Sequence, residues 1–510
     1  LSHPEFDVVV VGGGTAGAIV AARLSERPDL RVCLLEWGPS DAGEPRALAV
    51  RRWFEMLEGE YDLDYRSEPQ ERANSHVRQA RAAILGGCSS HNTMIAFRPT
   101  RWDLRRWAEL GARGWEPDAF WPYYDRLAGP IGPIPPHDRN PYLEDAVATA
   151  VATFGVPRRD AWNDVEFADG AGFFEIGYDP STGTRTSSSV AYLHPVMGAR
   201  PNLEIRLGCR AVRLGRDPDG RLRTVTYRRG DGSEGSVAAR RELVLACGAI
   251  DTPRLLMLSG IGPAEGLRAA GIAVDCDLPG VGENLCDHTE ALVMWEARRP
   301  LPPEGATDWD ACVLLRVDPA SDAHDIHMHL PLMTFAVHSE RLGFPTPAQA
   351  ITMTPNVARP RSRGRLWLRS PDPDEPPAID YRWFTDREGH DERMLVAGVR
   401  AARALAASPG LAEWIGNEVF PGPEATDDAR ISELARAGMN TVYHVSGTCR
   451  MGADADPAAV VDSQLRLRGE PGVRVVDASV FPCVTSVNPM VTVMMLAERA
   501  SDLISTGLTV

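Results

Sequence analysis

Lysine is absent: all 54 basic residues of this 510-residue chain are arginine. That removes Schiff-base lysine chemistry and the phosphate-binding lysine of a P-loop before any motif is read. Positive charge as a whole is in deficit, with a formal net charge of −16 and no basic patch strong enough to reverse the field, which excludes a nucleic-acid partner. The same field favours a cationic small molecule only weakly. No apolar run reaches the ~18 residues that a membrane helix needs. Residues 1–11 carry acidic side chains and run straight into a glycine turn, unlike a signal peptide. The nine cysteines are scattered, with neither a C-x-x-C pair nor zinc-like spacing, so they suit a reducing compartment better than a disulfide framework. A cytoplasmic protein with no membrane partner is expected. No internal repeat is visible at a period of about 20 to 50 residues.

What is present is enough for two domains: 44% hydrophobic and 24% charged residues over this length bury sizeable cores, and 46 glycines with 41 prolines imply many turns between ordinary elements. The chain opens as a βαβ unit. Residues 6–11 are a β-branched run, 18–24 are good helix formers and 31–36 form a second strand. Between the first two lie Gly12, Gly14 and Gly17, a G-x-G-x-x-G turn, and Glu36 closes the second strand about 20 residues on, as a dinucleotide-binding unit requires. Glycines permit the tight turn and close backbone approach, the helix N-terminus faces the pyrophosphate, and the carboxylate accepts from ribose hydroxyls. These residues alone leave open whether the dinucleotide is FAD or a nicotinamide. Further on, 203–214 and 223–228 read as paired strands, 242–246 as a short strand, and the segments at 325–329 and 365–368 as parts of an antiparallel sheet. Residues 394–407 and 426–437 read as helices. The ending, strand 473–476 and apolar 491–504, would close the nucleotide domain.

Longer motifs carry a resemblance. Arg81-Ala82-Ala83-Ile84-Leu85-Gly86-Gly87-Cys88-Ser89-Ser90-His91-Asn92, then Gly248-Ala249-Ile250-Asp251-Thr252-Pro253 leading to Ser259-Gly260-Ile261-Gly262, resemble the two signatures of the glucose-methanol-choline (GMC) oxidoreductases. His444 and Asn488, with Val475-Val476-Asp477-Ala478-Ser479 between them, resemble the family's catalytic pair and late flavin segment. Ile95-Ala96-Phe97, Asn440-Thr441-Val442-Tyr443-His444 and Phe384-Thr385-Asp386 are similar to its choline-oxidising branch. The resemblance implies FAD as cofactor and an α/β fold: a Rossmann-like FAD domain (1–138, 180–289 and 442–510) and a substrate domain on an antiparallel sheet (139–179 and 290–441). Gly12, Gly14, Gly17, Glu36, Gly86, Ser90, His91, Asn92, Ala211, Gly248, Asp477, Ala478 and Pro489 would bind FAD, with a covalent link through His91.

Removing hydride from a carbinol carbon requires the hydroxyl proton to leave, and a histidine beside the acceptor is the usual base. His444 would take that role, Asn488 would hold the alcohol oxygen or the imidazole, and His329 would hydrogen-bond the alkoxide. Thr93 stands where the choline-oxidising branch has serine, keeping the hydroxyl and adding a methyl. Trp53, Trp309, Tyr443 and Glu290 fall where that branch builds its trimethylammonium cage, aromatic faces and one carboxylate being what a cation without N–H donors needs. The implied reaction oxidises choline or a similar cationic alcohol to the aldehyde, and on to betaine, with O2 reduced to H2O2 by a homodimer. The alternatives are another alcohol, such as an amino sugar or a biosynthetic intermediate, and a dehydrogenase with another electron acceptor. His327 and His329 share a strand face, but no third ligand is indicated and no metal is expected. Cys88 reads as packing, and Arg361, Arg363 and Arg365 as a solvated stripe.

Overall fold

The computed structural model describes residues 4–164 and 166–508, so the first three residues of the opening segment lie outside the described residues. Two large sheets organise the chain. Strand Glu5–Val11 sits inside the first, parallel to Val32–Leu35 on one side and to Glu234–Leu245 on the other, with Val9 opposite both Cys33 and Leu243. Its run Val8-Val9-Val10-Val11 is buried throughout, as a strand covered on both faces must be. Val473–Val475 also pairs parallel with Glu234–Leu245, bringing the end of the chain into the sheet begun by its start. Helix Met490–Gly507 then packs against helix Thr15–Leu24. Buried Glu498 accepts from Arg23 Nη2 at 2.8 Å and from Tyr192 Oη at 2.8 Å, fastening that contact.

Two strand readings change. Residues 203–214 are two strands, not one: Leu203–Arg206 runs parallel to Val32–Leu35, whereas Cys209–Arg216 pairs antiparallel with Leu222–Arg229. The break falls at Gly208, whose φ of +64° turns the chain between the two partners. The short strand read at 242–246 is the apolar end of the twelve-residue strand Glu234–Leu245. Its polar first half pairs antiparallel with Leu222–Arg229 and is half exposed, so periodicity reports only the half inside the parallel sheet.

The second sheet is antiparallel, in the order Ile415–Phe420, Val293–Ala297, Ala350–Val357, Ile326–Pro331, Trp309–Leu315 and Gly170–Phe173. The two-residue strand Thr289–Glu290 pairs with its interior strand Ala350–Val357, placing Glu290 opposite Asn356 and, on its other side, Asn440. Helix His390–Ala406 covers Ala350–Val357. Strand Arg365–Trp367 lies outside this sheet and pairs antiparallel with Ala378–Asp380. The arginines before it are not a uniformly solvated stripe: Arg361 pairs with Glu388, while Arg363 is half-buried and donates to the carbonyls of Pro360 and Ser362.

The glycine turn is the most sterically demanding point of the first sheet. Gly12 has φ +97°, and a Cβ on Gly17 would lie 1.9 Å from the carbonyl oxygen of Gly12. Gly17→Ala is therefore expected to force the turn apart, at an overpacking cost of about 1–3 kcal/mol. A lower melting temperature and a smaller flavin content in the purified protein are the measurements.

Candidate active site

A cavity of about 560 Å³ runs from the glycine turn to the second sheet. Three helix N-termini reach its wall, at Thr15, Gly248 and Met490, presenting amide groups and positive dipole ends. A Cβ on Gly14 would meet only Gly87 Cα at 3.8 Å, and one on Gly248 would meet nothing within 4 Å, so the space beyond both amides is open. His91 also faces this space, with its buried Nδ1 unpartnered among the described residues. Helix ends, open amides and an unpaired imidazole nitrogen along one elongated cavity fit an anionic dinucleotide.

Gly12, Gly14, Glu36, His91, Asn92, Thr93, Ala211, Gly248, Asp477, Ala478 and Pro489 all line the cavity. Gly17, Gly86 and Ser90 do not: they stand behind the wall. Gly17 allows the helix to approach the turn, and a Cβ on Gly86 would lie 2.1 Å from Ser90 Oγ, which donates instead to Leu85 O at 2.8 Å. Glu36 turns its carboxylate onto the turn, where it accepts from Gly13 N and Gly38 N, each at 2.7 Å. Burial raises it to about 7, against the pull of these amides. Asp477 ties the late segment to the helix at Gly248, accepting from Gly248 N at 2.9 Å and Thr252 Oγ1 at 2.6 Å.

At the opposite end His444, Asn488 and His329 converge on the cavity. Asn488 Nδ2 lies 3.4 Å from His444 Nε2, and His444 Nδ1 lies 2.8 Å from Nδ1 of His288. Burial, reinforced by the neighbouring imidazoles, holds His444 well below its ordinary value, and burial pushes His329 down to about 3, so both are neutral at pH 7. His324, His327 and His329 are all buried, yet among the described residues no group of three or more His, Cys, Asp or Glu is placed to hold a metal ion.

Beside this group stand Glu290, Trp53, Trp309 and Tyr443. Trp53 and Trp309 meet edge to face, 5.6 Å between centroids at 87°, and Trp53 Nε1 is tied to Thr307 O at 2.8 Å. Glu290 is 3% exposed, its Oε2 is unpartnered among the described residues, and burial raises its carboxyl to about 8. Several cavity residues carry no signal in the sequence. Phe335 packs edge to face on Trp309 at 5.2 Å, and Phe54 and Val337 line the cavity while 47% and 51% exposed. Arg81 donates to the carbonyl of Tyr443 at 2.9 Å. Cys88 is more than packing: it lines the cavity, and although burial opposes ionisation, Arg81 and His91 bring its thiol down to about 6.

Profiles described as GMC oxidoreductase match residues 6–290 and 360–497. The chain is 46% identical to choline oxidase of Arthrobacter globiformis, over 99% of this chain and 95% of that one. It is 33% identical to the mitochondrial choline dehydrogenase of Homo sapiens, over 99% and 90% of the two chains. Among solved structures, pyridoxine 4-oxidase from Mesorbium loti superposes with a TM-score of 0.91 at 29% identity, covering 97% of this chain and 98% of that one. No described helix is long and apolar enough to cross a membrane.

Proposed function

Because the chain belongs to the GMC oxidoreductase family, FAD-dependent enzymes that oxidise alcohols, we propose that it is an oxidase of a cationic amino alcohol, choline first. FAD, when bound, supplies the two-electron acceptor, and O2 then takes those electrons as H2O2. One mole of primary alcohol and one of O2 give aldehyde and H2O2; the hydrated aldehyde and a second O2 give the acid, betaine for choline, and a second H2O2. The cavity-lining residues Gly12, Gly14, Glu36, His91, Asn92, Ala211, Gly248, Asp477, Ala478 and Pro489 would hold the cofactor, with Gly17, Gly86 and Ser90 shaping its turns, and His91 would carry it covalently through a ring nitrogen.

In this reading His444 takes the hydroxyl proton at Nε2, Asn488 and His329 hold the oxygen that remains, and the Thr93 hydroxyl adds a further hydrogen bond. Glu290, Trp53, Trp309 and Tyr443 hold the trimethylammonium head. What supports the reading is a buried carboxyl oxygen with no hydrogen-bond partner among the described residues, lining the same cavity as three aromatic rings and a neutral histidine with a nitrogen facing Asn488. The nine cysteines, all free, support a reducing cytoplasm, and a homodimer, the commonest closed assembly, is checked by light scattering.

The test is anaerobic mixing of the yellow holoprotein with choline, its hydrated aldehyde and the neutral isostere 3,3-dimethylbutan-1-ol. Choline is expected to bleach the flavin fastest, and in air each two-electron oxidation releases a mole of peroxide, two for each choline carried to the acid. Equal bleaching by the neutral isostere removes the cationic substrate, and bleached flavin that air does not recolour removes the oxidase.

A further inference from the structure

His288 is 2% exposed and has no part in the reaction described above. Its Nε2 lies 3.0 Å from the carbonyl oxygen of Ala358, and its Nδ1 lies 2.8 Å from Nδ1 of His444. The two rings meet edge to face, 5.0 Å between centroids at 81°. A carbonyl oxygen only accepts, so the proton on that side belongs to His288 Nε2. A neutral imidazole has one N–H, which leaves His288 Nδ1 as a bare lone pair that can only accept. Two nitrogens at 2.8 Å share one proton, and that proton must then sit on His444 Nδ1. His444 Nε2 is consequently bare, and Nε2 is the nitrogen on the side of Asn488. Asp287, the preceding residue, fixes the same histidine from its backbone: Oδ1 accepts from His444 N at 2.9 Å, while Oδ2 accepts from Thr441 Oγ1 at 2.5 Å.

We propose that His288 is a positioning residue for alcohol oxidation, holding His444 in the tautomer that presents a bare Nε2 to the cavity. The proposal rests on the reading of His444 as the base. The order of bonds has a consequence for a proton taken up at Nε2: His444 becomes a cation whose Nδ1–H donates to a neutral acceptor, a stronger bond than before transfer. The other groups facing this pair are His329, His327, Arg81 and Asp287 around His444, and His324, His327, His329 and the backbone of Thr485 around His288. Burial pushes His288 down to about 4, so near neutrality it accepts without becoming charged itself.

Three substitutions at one position test this in the holoprotein. His288→Leu removes the acceptor, freeing His444 to place its proton on Nε2, and kcat/KM should fall about 10- to 100-fold, the scale typical of an orienting partner. With 3,3-dimethylbutan-1-ol as substrate, so that the ionisation of Glu290 does not enter, the acid limb should move to lower pH, because the cation loses more than the neutral ring. His288→Asp supplies an anionic acceptor and should move the limb to higher pH. His288→Asn, whose Oδ1 can still accept from Nδ1–H, should recover most of the rate lost in His288→Leu. Nitrogen NMR of protein carrying isotope-labelled histidine, assigned with His444→Asn, should find the His444 proton on Nδ1 in the parent and divided between both nitrogens in His288→Leu. A limb and a tautomer unchanged across all three variants overturn the proposal. Should His288→Leu fail to fold, the different shifts expected of the Asp and Asn variants, upward against nearly none, decide it. Full activity in His444→Ala instead removes the parent reading, and the tautomer assignment is then decided by the NMR alone.

Discussion

His444→Ala is expected to slow anaerobic bleaching of the flavin by choline about 10²- to 10⁴-fold, the usual contribution of a general base. Flavin content should be unchanged, because His444 meets the cavity at the end away from the glycine turn and, among the described residues, its ring bonds to His288 and Asn488. The size of the effect follows from protonation state. An alcohol gives up its proton poorly near neutrality, and His444 is the imidazole at this end whose bare nitrogen is directed by a chain of bonds from a fixed carbonyl. His329 has both ring nitrogens unpartnered among the described residues and is neutral above about 3, so it can donate to a developing alkoxide without being fixed in one tautomer. A base that must be neutral works above its own pKa, and burial depresses that of His444, so no loss of rate from its protonation is expected near pH 7. Stopped-flow bleaching of parent and variant with the same alcohol is the measurement. A variant that bleaches at the parent rate places the base elsewhere.

The residues at this end differ in how far the sequence alone could disclose them. The opening βαβ unit is legible because two strong signals coincide: Val8 to Val11 can only be a strand buried on both faces, and Gly12 and Gly17 occupy positions where a side chain would strike backbone. Residues that contribute through type and place within long motifs, such as His91, His444 and Asn488, are likewise found on the cavity. His288 is different. It is a single histidine with no spacing to a partner, and its significance lies in a 2.8 Å contact across 156 residues of chain. The surroundings of Cys88 are hidden for the same reason: Arg81 seven residues earlier becomes an electrostatic neighbour only because the loop folds back, with Nη1 3.8 Å from Sγ. Strand Glu234–Leu245 is half hidden because one segment serves two sheet environments, and a single periodicity cannot describe both.

The second large effect is expected at Glu290. Glu290→Gln should lower kcat/KM for choline by about 2 kcal/mol, some 30-fold, while changing the value for 3,3-dimethylbutan-1-ol far less. Each aromatic face offers a cation about 0.5–2 kcal/mol, so the rings of Trp53, Trp309 and Tyr443 share with the carboxylate the discrimination between a cation and its neutral isostere. The carboxylate's share differs in that its charge is conditional. Burial raises Glu290 to about 8, so in the free protein at pH 7 most molecules hold it protonated and uncharged. A cation favours the ionised form, and choline binding should therefore release a proton below pH 8 and tighten as pH rises toward and through that value. With the neutral isostere the same rise should be absent. The glutamine variant should lose it with choline too, because an amide of the same shape has no proton to give up. Profiles of kcat/KM against pH for two proteins and two alcohols separate charge from shape. A rise near pH 8 that survives in Glu290→Gln, or that the neutral alcohol shares, assigns the ionisation to another group and removes Glu290 from the cage.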